Sequence, residues 1–102
     1  MPNAKNILSK LEQIESEMQR TGLWQDEPLE PEQYDFRAAF AADTMSFAQW
    51  LQFIFIPNVR GAIAVNKFPA ESHVGAQAVR EFDSFPEASR LITLLSEFDA
   101  LF

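Results

Sequence analysis

The sequence predicts an all-α protein: a small bundle of three principal helices with one or two short ones, in a single domain over residues 1–102. Three observations predict it. Apolar residues recur at helical spacing in three separate stretches, around Ile7–Met18, Phe47–Ile56 and Leu91–Phe102. Gly is scarce, at three residues, which argues against a turn-rich β-sandwich. The alternating pattern of a half-buried strand is nearly absent. Residues 61–65 (Gly-Ala-Ile-Ala-Val) could form a short strand, but no partner strand is evident.

The first helix is placed at about residues 4–21. Asn3 is suited to cap it. Ile7, Leu11, Ile14 and Met18 follow at 4-3-4 spacing, while Lys10, Glu12, Glu15, Glu17 and Arg20 fall largely on other faces. Gly22 ends the helix, because it tolerates the left-handed conformation beyond a helix terminus. Leu23–Pro31 reads as a linker pinned by Trp24 and Leu29, with Pro28 and Pro31 opposing helix for the residues before them. Pro31 and Glu32 suit a helical turn within Glu32–Phe40, anchored by Tyr34, Phe36 and Phe40.

The central stretch runs from Asp43 to Pro57 and holds no charged residue after Asp43 until Arg60. Asp43 or Thr44 is placed as its cap. Phe47, Trp50, Leu51 and Ile54 form one stripe, and Phe53 and Ile56 widen it, so this helix should be buried on most sides. Pro57 cannot donate to the carbonyl of Phe53, and the helix is expected to be kinked or broken there. Helix resumes over Asn58–Asn66 with Val59 and Ile63 inward, and with Gly61 either weakening it or allowing a close approach. Lys67–Gly75 is the longest loop. A short helix fits Ala76–Phe82. Ser84 or Phe85 and then Pro86 open a last helix whose apolar face is Leu91, Leu94, Leu95, Phe98, Leu101 and Phe102. Glu97 and Asp99 oppose the dipole at its end, so fraying is expected.

Composition excludes several function classes. The net charge is −7, with nine of the fifteen acids in residues 1–43, which disfavours direct binding to nucleic acid or an anionic membrane. Residues 44–80 hold Glu71 against Arg60, Lys67 and Arg80. There is no cysteine, so disulfides, thiolate metal sites and cysteine nucleophiles are excluded. No apolar run approaches the roughly 20 residues that span a bilayer, and Met1–Asn6 leads into an amphipathic segment, so a cytoplasmic protein is expected. His73 is the only histidine, which rules out a histidine-based metal cluster, and it reads as a solvated loop residue beside Glu71 and Ser72. Asp26, Glu27, Glu30, Glu32 and Asp35 lack calcium-loop spacing and read as a solvated linker. No phosphate-binding glycine loop, zinc-protease motif or nucleophile elbow occurs. The expectation is a protein that is not an enzyme and needs no cofactor or metal.

The blocks Asp43-Thr44-Met45, Trp50-Leu51-Gln52 and Ile56-Pro57 resemble the YqcC-like family of small bacterial helical proteins. The likeness extends to Trp24, Glu27-Pro28, Phe40, Leu94 and Asp99-Ala100-Leu101-Phe102. The resemblance implies a small helical bundle and carries over no activity, since the family is a domain of unknown function. Its genes can lie near that of a tRNA pseudouridine synthase. Where the family pattern has an arginine after Ile-Pro, this chain has Asn58, with Arg60 two residues later.

The functional expectation is a non-catalytic protein–protein interaction domain, either binding a protein partner or self-associating. Its surface is expected around Trp24, Asp43, Trp50, Gln52, Phe53 and Arg60. Capping explains Asp43, and core packing explains most aromatics at helical spacing. Gln52 stands out, because a buried glutamine needs a partner. Two alternatives are an accessory to a tRNA-modifying pseudouridine synthase and a binder of a small apolar ligand near Pro57.

Overall fold

A computed structural model describes residues 3–102, so the reading at Met1 and Pro2 lies outside the described residues. Helix α1 spans Ala4–Arg20. Asn3 caps it, its Oδ1 accepting from the amides of Lys5 at 2.9 Å and Asn6 at 3.2 Å. Ile7, Leu11, Ile14 and Met18 are fully buried. Gly22 adopts φ +77°, and the Leu23 amide turns back to the Met18 carbonyl at 2.9 Å, closing the helix with a glycine cap. Glu17 departs from the expected polar face. It is buried and held by the Arg20 guanidinium, with Nε 3.0 Å from Oε1.

The linker leads into tight turns at Pro31–Tyr34 and Ala39–Ala41. Leu29, Ala41 and Met45 form a small second core, against which Phe36, Trp50, Phe53 and Ile54 pack. Tyr34, expected as an anchor, is 51% exposed because the turn points it outward. Phe40 and Ala41 both take positive φ, 56° and 53°, a conformation that costs a side-chain-bearing residue about 1–3 kcal/mol.

The central helix is capped by Ser46, not by Asp43 or Thr44. Ser46 Oγ accepts the Gln49 amide at 3.1 Å, and Gln49 Oε1 accepts the Ser46 amide at 3.0 Å. This reciprocal box satisfies two amide donors at the helix start. Asp43 and Thr44 instead close the preceding turns. The Asp43 carboxylate accepts the amides of Arg37 at 3.0 Å and Ala38 at 3.3 Å, and the Thr44 hydroxyl donates to the Gln33 carbonyl at 2.7 Å.

Helix α2 (Phe47–Trp50) runs through a wide π turn, Leu51–Phe55, into α3 (Ile56–Val65). The disruption expected at Pro57 takes this form. The Ile56 amide reaches back five residues to Leu51, and helical backbone angles continue into Pro57 at the start of α3. Widening the turn ahead of the ring accommodates a residue with no N–H to give. It also shifts the helical phase. Phe55 and Gln52 face inward, whereas Ile54 and Phe53, read as part of the main stripe, are half-buried against the second core. Val59 and Ile63 pack on the main core. Gly61 is exposed and no atom would meet a Cβ there, so it marks no close approach.

Helix α4 is Val74–Glu81, starting two residues before the predicted Ala76. The turn Pro86–Ala88 leads into α5, Ser89–Asp99. Helix α5 packs against both α1 and α4, and α1 also contacts α3. Leu91, Leu94, Leu95 and Phe98 complete the main core. Lys10 Nζ on α1 lies 2.8 Å from Glu97 Oε1 on α5, and Arg60 on α3 pairs with Glu15 on α1. The end of α5 is pinned, not frayed. Asp99 accepts the Ser72 hydroxyl at 2.6 Å and the amides of Val74 at 3.0 Å and Gly75 at 2.7 Å. No strand occurs among the described residues, and the chain is an all-α bundle.

Candidate functional site

The structure engages the six residues singled out in the sequence in packing and internal bonds. Trp50 lies where the two cores meet. Its ring stacks on Phe47 and Phe55, with centroids at 5.7 and 5.6 Å, and meets Phe40 edge-on at 5.0 Å. Phe53 packs on the second core and Trp24 on the main one. Asp43 is engaged by the 37–38 amides, and Arg60 faces α1 through Glu15.

Gln52 has its partner. Its Oε1 accepts the Gln25 amide at 3.0 Å, and its Nε2 donates to the Gln25 carbonyl at 2.8 Å. One buried side chain thus satisfies both backbone groups of a linker residue, as a neighbouring strand would. Gln49 Nε2 adds a bond to Gln25 Oε1 at 3.1 Å. The glutamine that stood out in the sequence fastens the linker to the central helix.

An apolar cleft of about 190 Å³ opens beside the same helix. The helix supplies Trp50, Phe55, Asn58, Val59 and Ala62. The loop after α3 supplies Phe68, Pro69, Glu71 and Ser72, and the end of the chain supplies Phe98 and Phe102. Two larger grooves, one between α1 and α5 and one along Gln25–Gln33, are walled mainly by polar side chains. Of the six residues, only Trp50 lines the apolar cleft. Phe55, Asn58, Val59 and Ala62 follow one another at 3-1-3 spacing, a face that the sequence could have revealed. Phe68 and Phe102 sit far apart in sequence and meet only through the fold, with ring centroids 6.3 Å apart.

Three carboxyls among the described residues have a pKa that the fold moves clearly, and all three move down. Among the carboxyls whose pKa moves clearly, Glu17 is lowered by its hydrogen bond to Arg20, Asp43 by the Arg37 amide and Glu97 by Lys10. Each moves away from neutrality, whereas a general acid at pH 7 needs a carboxyl raised towards it. His73 Nε2 lies 3.4 Å from Glu71 Oε1, and both side chains are largely exposed. Among the described residues no group of three His, Cys, Asp or Glu side chains could hold a metal ion, and no helix is long and apolar enough to cross a membrane.

A family model described as "DUF446: tRNA pseudouridine synthase C" matches residues 6–101. The chain belongs to this DUF446 family. The matched span includes every wall of the cleft except Phe102. An uncharacterized protein of Haemophilus influenzae is 33% identical to this DUF446 chain over 96 residues, covering 89% of the chain and 87% of the relative. No solved structure matches.

Proposed function

We propose that this DUF446 chain, a YqcC-like member of the family, is a non-catalytic cytoplasmic domain that binds a protein partner through the cleft beside α3. The observation that carries this reading is the cleft's size and lining. Sites for small molecules usually enclose roughly 300–1,000 Å³. A cleft of about 190 Å³ walled by aromatic and aliphatic side chains suits one anchoring side chain of a partner. That favours a protein over a free apolar ligand. The acidic balance of the chain favours contact with a protein over contact with nucleic acid.

A second observation narrows the partner. The family description names a tRNA pseudouridine synthase. The carboxyls whose pKa moves clearly, Glu17, Asp43 and Glu97, all move down and not up as a general acid would need, so the reading is an accessory that binds such an enzyme. A photo-crosslinking residue at the exposed Asn58, placed in the native cell, tests both. The expected result is one dominant protein adduct, a tRNA-modifying enzyme, that is lost when the crosslinker is moved to the exposed Val79 on α4. Equal, diffuse labelling from both positions overturns the reading. Labelling of a second copy of this chain makes the domain a self-associating one.

A further inference from the structure

We propose that the cleft beside α3 is a receptor for a lysine or arginine side chain, carried next to an apolar residue on the partner protein. The inference rests on the partner-binding reading above and names the chemistry of what docks. Five of the cleft's walls are aromatic: Trp50, Phe55, Phe68, Phe98 and Phe102. Phe55 and Phe98 are buried, and Trp50 already stacks on Phe47 and Phe55. The ring surface open to an occupant is therefore that of the half-buried Phe68 and Phe102, whose negative π faces attract a cation. Glu71 is the one ionisable residue among the walls. Its side chain is 77% exposed, and its neighbour is the His73 imidazole at 3.4 Å, not a lysine or arginine. Lys67, adjacent to Phe68 in sequence, is not a wall of the cleft.

The wall bearing Glu71 is fixed in place. Its next residue, Ser72, donates to Asp99 at 2.6 Å, and Phe68 packs against Phe102. The backbone that carries Glu71 is thereby tied down on both sides, at Phe68 and at Ser72. A basic side chain lying along the cleft packs its methylenes against Val59 and Ala62 and keeps its charged head at the rim beside Glu71. An acidic occupant would meet Glu71 as a like charge, and a purely apolar one would leave Glu71 unused. The overall charge of −7 draws a basic partner toward the chain over a longer range.

The test is an amide NMR titration of the intact chain with three capped peptides, acetyl-Gly-Leu-X-Leu-Gly-amide, where X is arginine, citrulline or glutamate. The arginine peptide is expected to shift Trp50, Phe68, Glu71 and Phe102. It should bind about five-fold tighter than the citrulline peptide, which has the same shape without the charge. Glu71→Gln, an exposed change that leaves the core intact, should remove most of that preference. Ala62→Trp should fill the cleft and abolish binding of both. Equal binding of the arginine and citrulline peptides, shifts confined to the acidic linker Asp26–Glu30, or no shift at about 10 mM peptide overturns the inference. If the Asn58 crosslink to a partner persists in those cases, the partner-binding reading stands without it. If the crosslink is also absent, both fall.

Discussion

Asp99, the last residue of α5, accepts the Gly75 amide at 2.7 Å, so one helix end caps the start of another. The residue in the capping position of α4 is His73, and its side chain makes no cap bond. The Asp99 carboxylate takes over the task, and binds Ser72 and Val74 as well. Asp99→Ala should cost about 1–2 kcal/mol, the usual worth of a helix cap, read by urea unfolding. Hydrogen exchange should quicken first at Val74 and Gly75. Uniform exchange across α4 and α1 would show that the bond has no local effect.

Two glycines should respond to the same substitution with opposite signs. A Cβ on Gly75 would lie 2.5 Å from Ser96 Oγ and 2.7 Å from Ser96 Cα. The second atom is backbone, so the helices must move apart, and Gly75→Ala should destabilise by about 1–3 kcal/mol. At Gly61 a Cβ would meet nothing within 4 Å, and the residue lies inside α3 with no positive φ. Gly61→Ala should stabilise by about 0.5–1 kcal/mol. Chemical denaturation of the two variants side by side checks the contrast.

Gln52→Leu should destabilise by about 1–3 kcal/mol, because it strands both the N–H and the C=O of Gln25. The apolar side chain suits the environment, so the loss measures the missing bonds and not a cavity. The Gln25 amide should lose its exchange protection. Retained protection in the variant would mean that the linker is held by other contacts.

Asp43 gives a pH dependence with a defined sign. Its hydrogen bond from the Arg37 amide, reinforced by Ala38, holds its pKa below the ordinary 3.8 in the fold. A lowered folded pKa contributes stability above the unfolded value, and that contribution is lost as pH falls through the folded one. Asp43→Asn should therefore lower stability at neutral pH and flatten the loss of stability below about pH 4. Thermal melts from pH 7 down to 2.5 test it. Parallel curves for the two proteins would remove Asp43 from the acid response.

The parts of the fold legible in the sequence are those set by local pattern. The 4-3-4 spacing of Ile7, Leu11, Ile14 and Met18, with Asn3 before and Gly22 after, fixes α1 almost to the residue. The central helix is only partly legible, because the π turn at Leu51–Phe55 changes the phase on which any reading of its stripe depends. Asp43 and Thr44 carry capping chemistry, but Ser46 with Gln49 lies nearer the helix and completes a two-way box. Asp99 read as a dipole conflict, since the helix it serves is not its own. Of the candidate site, the wall on the central helix is legible, in Trp50 and in the apolar stretch on either side of Pro57, and the facing wall is not. The cleft is assembled from segments up to 52 positions apart, from Trp50 to Phe102, and no local pattern joins them.

The π turn also acts as a rotary offset between the two halves of the central helix. Each α-helical residue advances the side chains by about 100° around the axis, so the one extra residue in the turn sets the azimuth of everything after it. Phe47 and Leu51 point into the main core, and Val59 and Ala62 wall the cleft, because the second half is turned relative to an uninterrupted helix. Removing one residue within 51–55, with Pro57 changed to Ala, would let a regular helix form. The deletion would remove the one residue that the wide turn absorbs and keep the Val59–Ala62 face near its present bearing. Pro57→Ala with the turn tightened and no residue removed would instead swing that face by about 100° and dismantle the cleft.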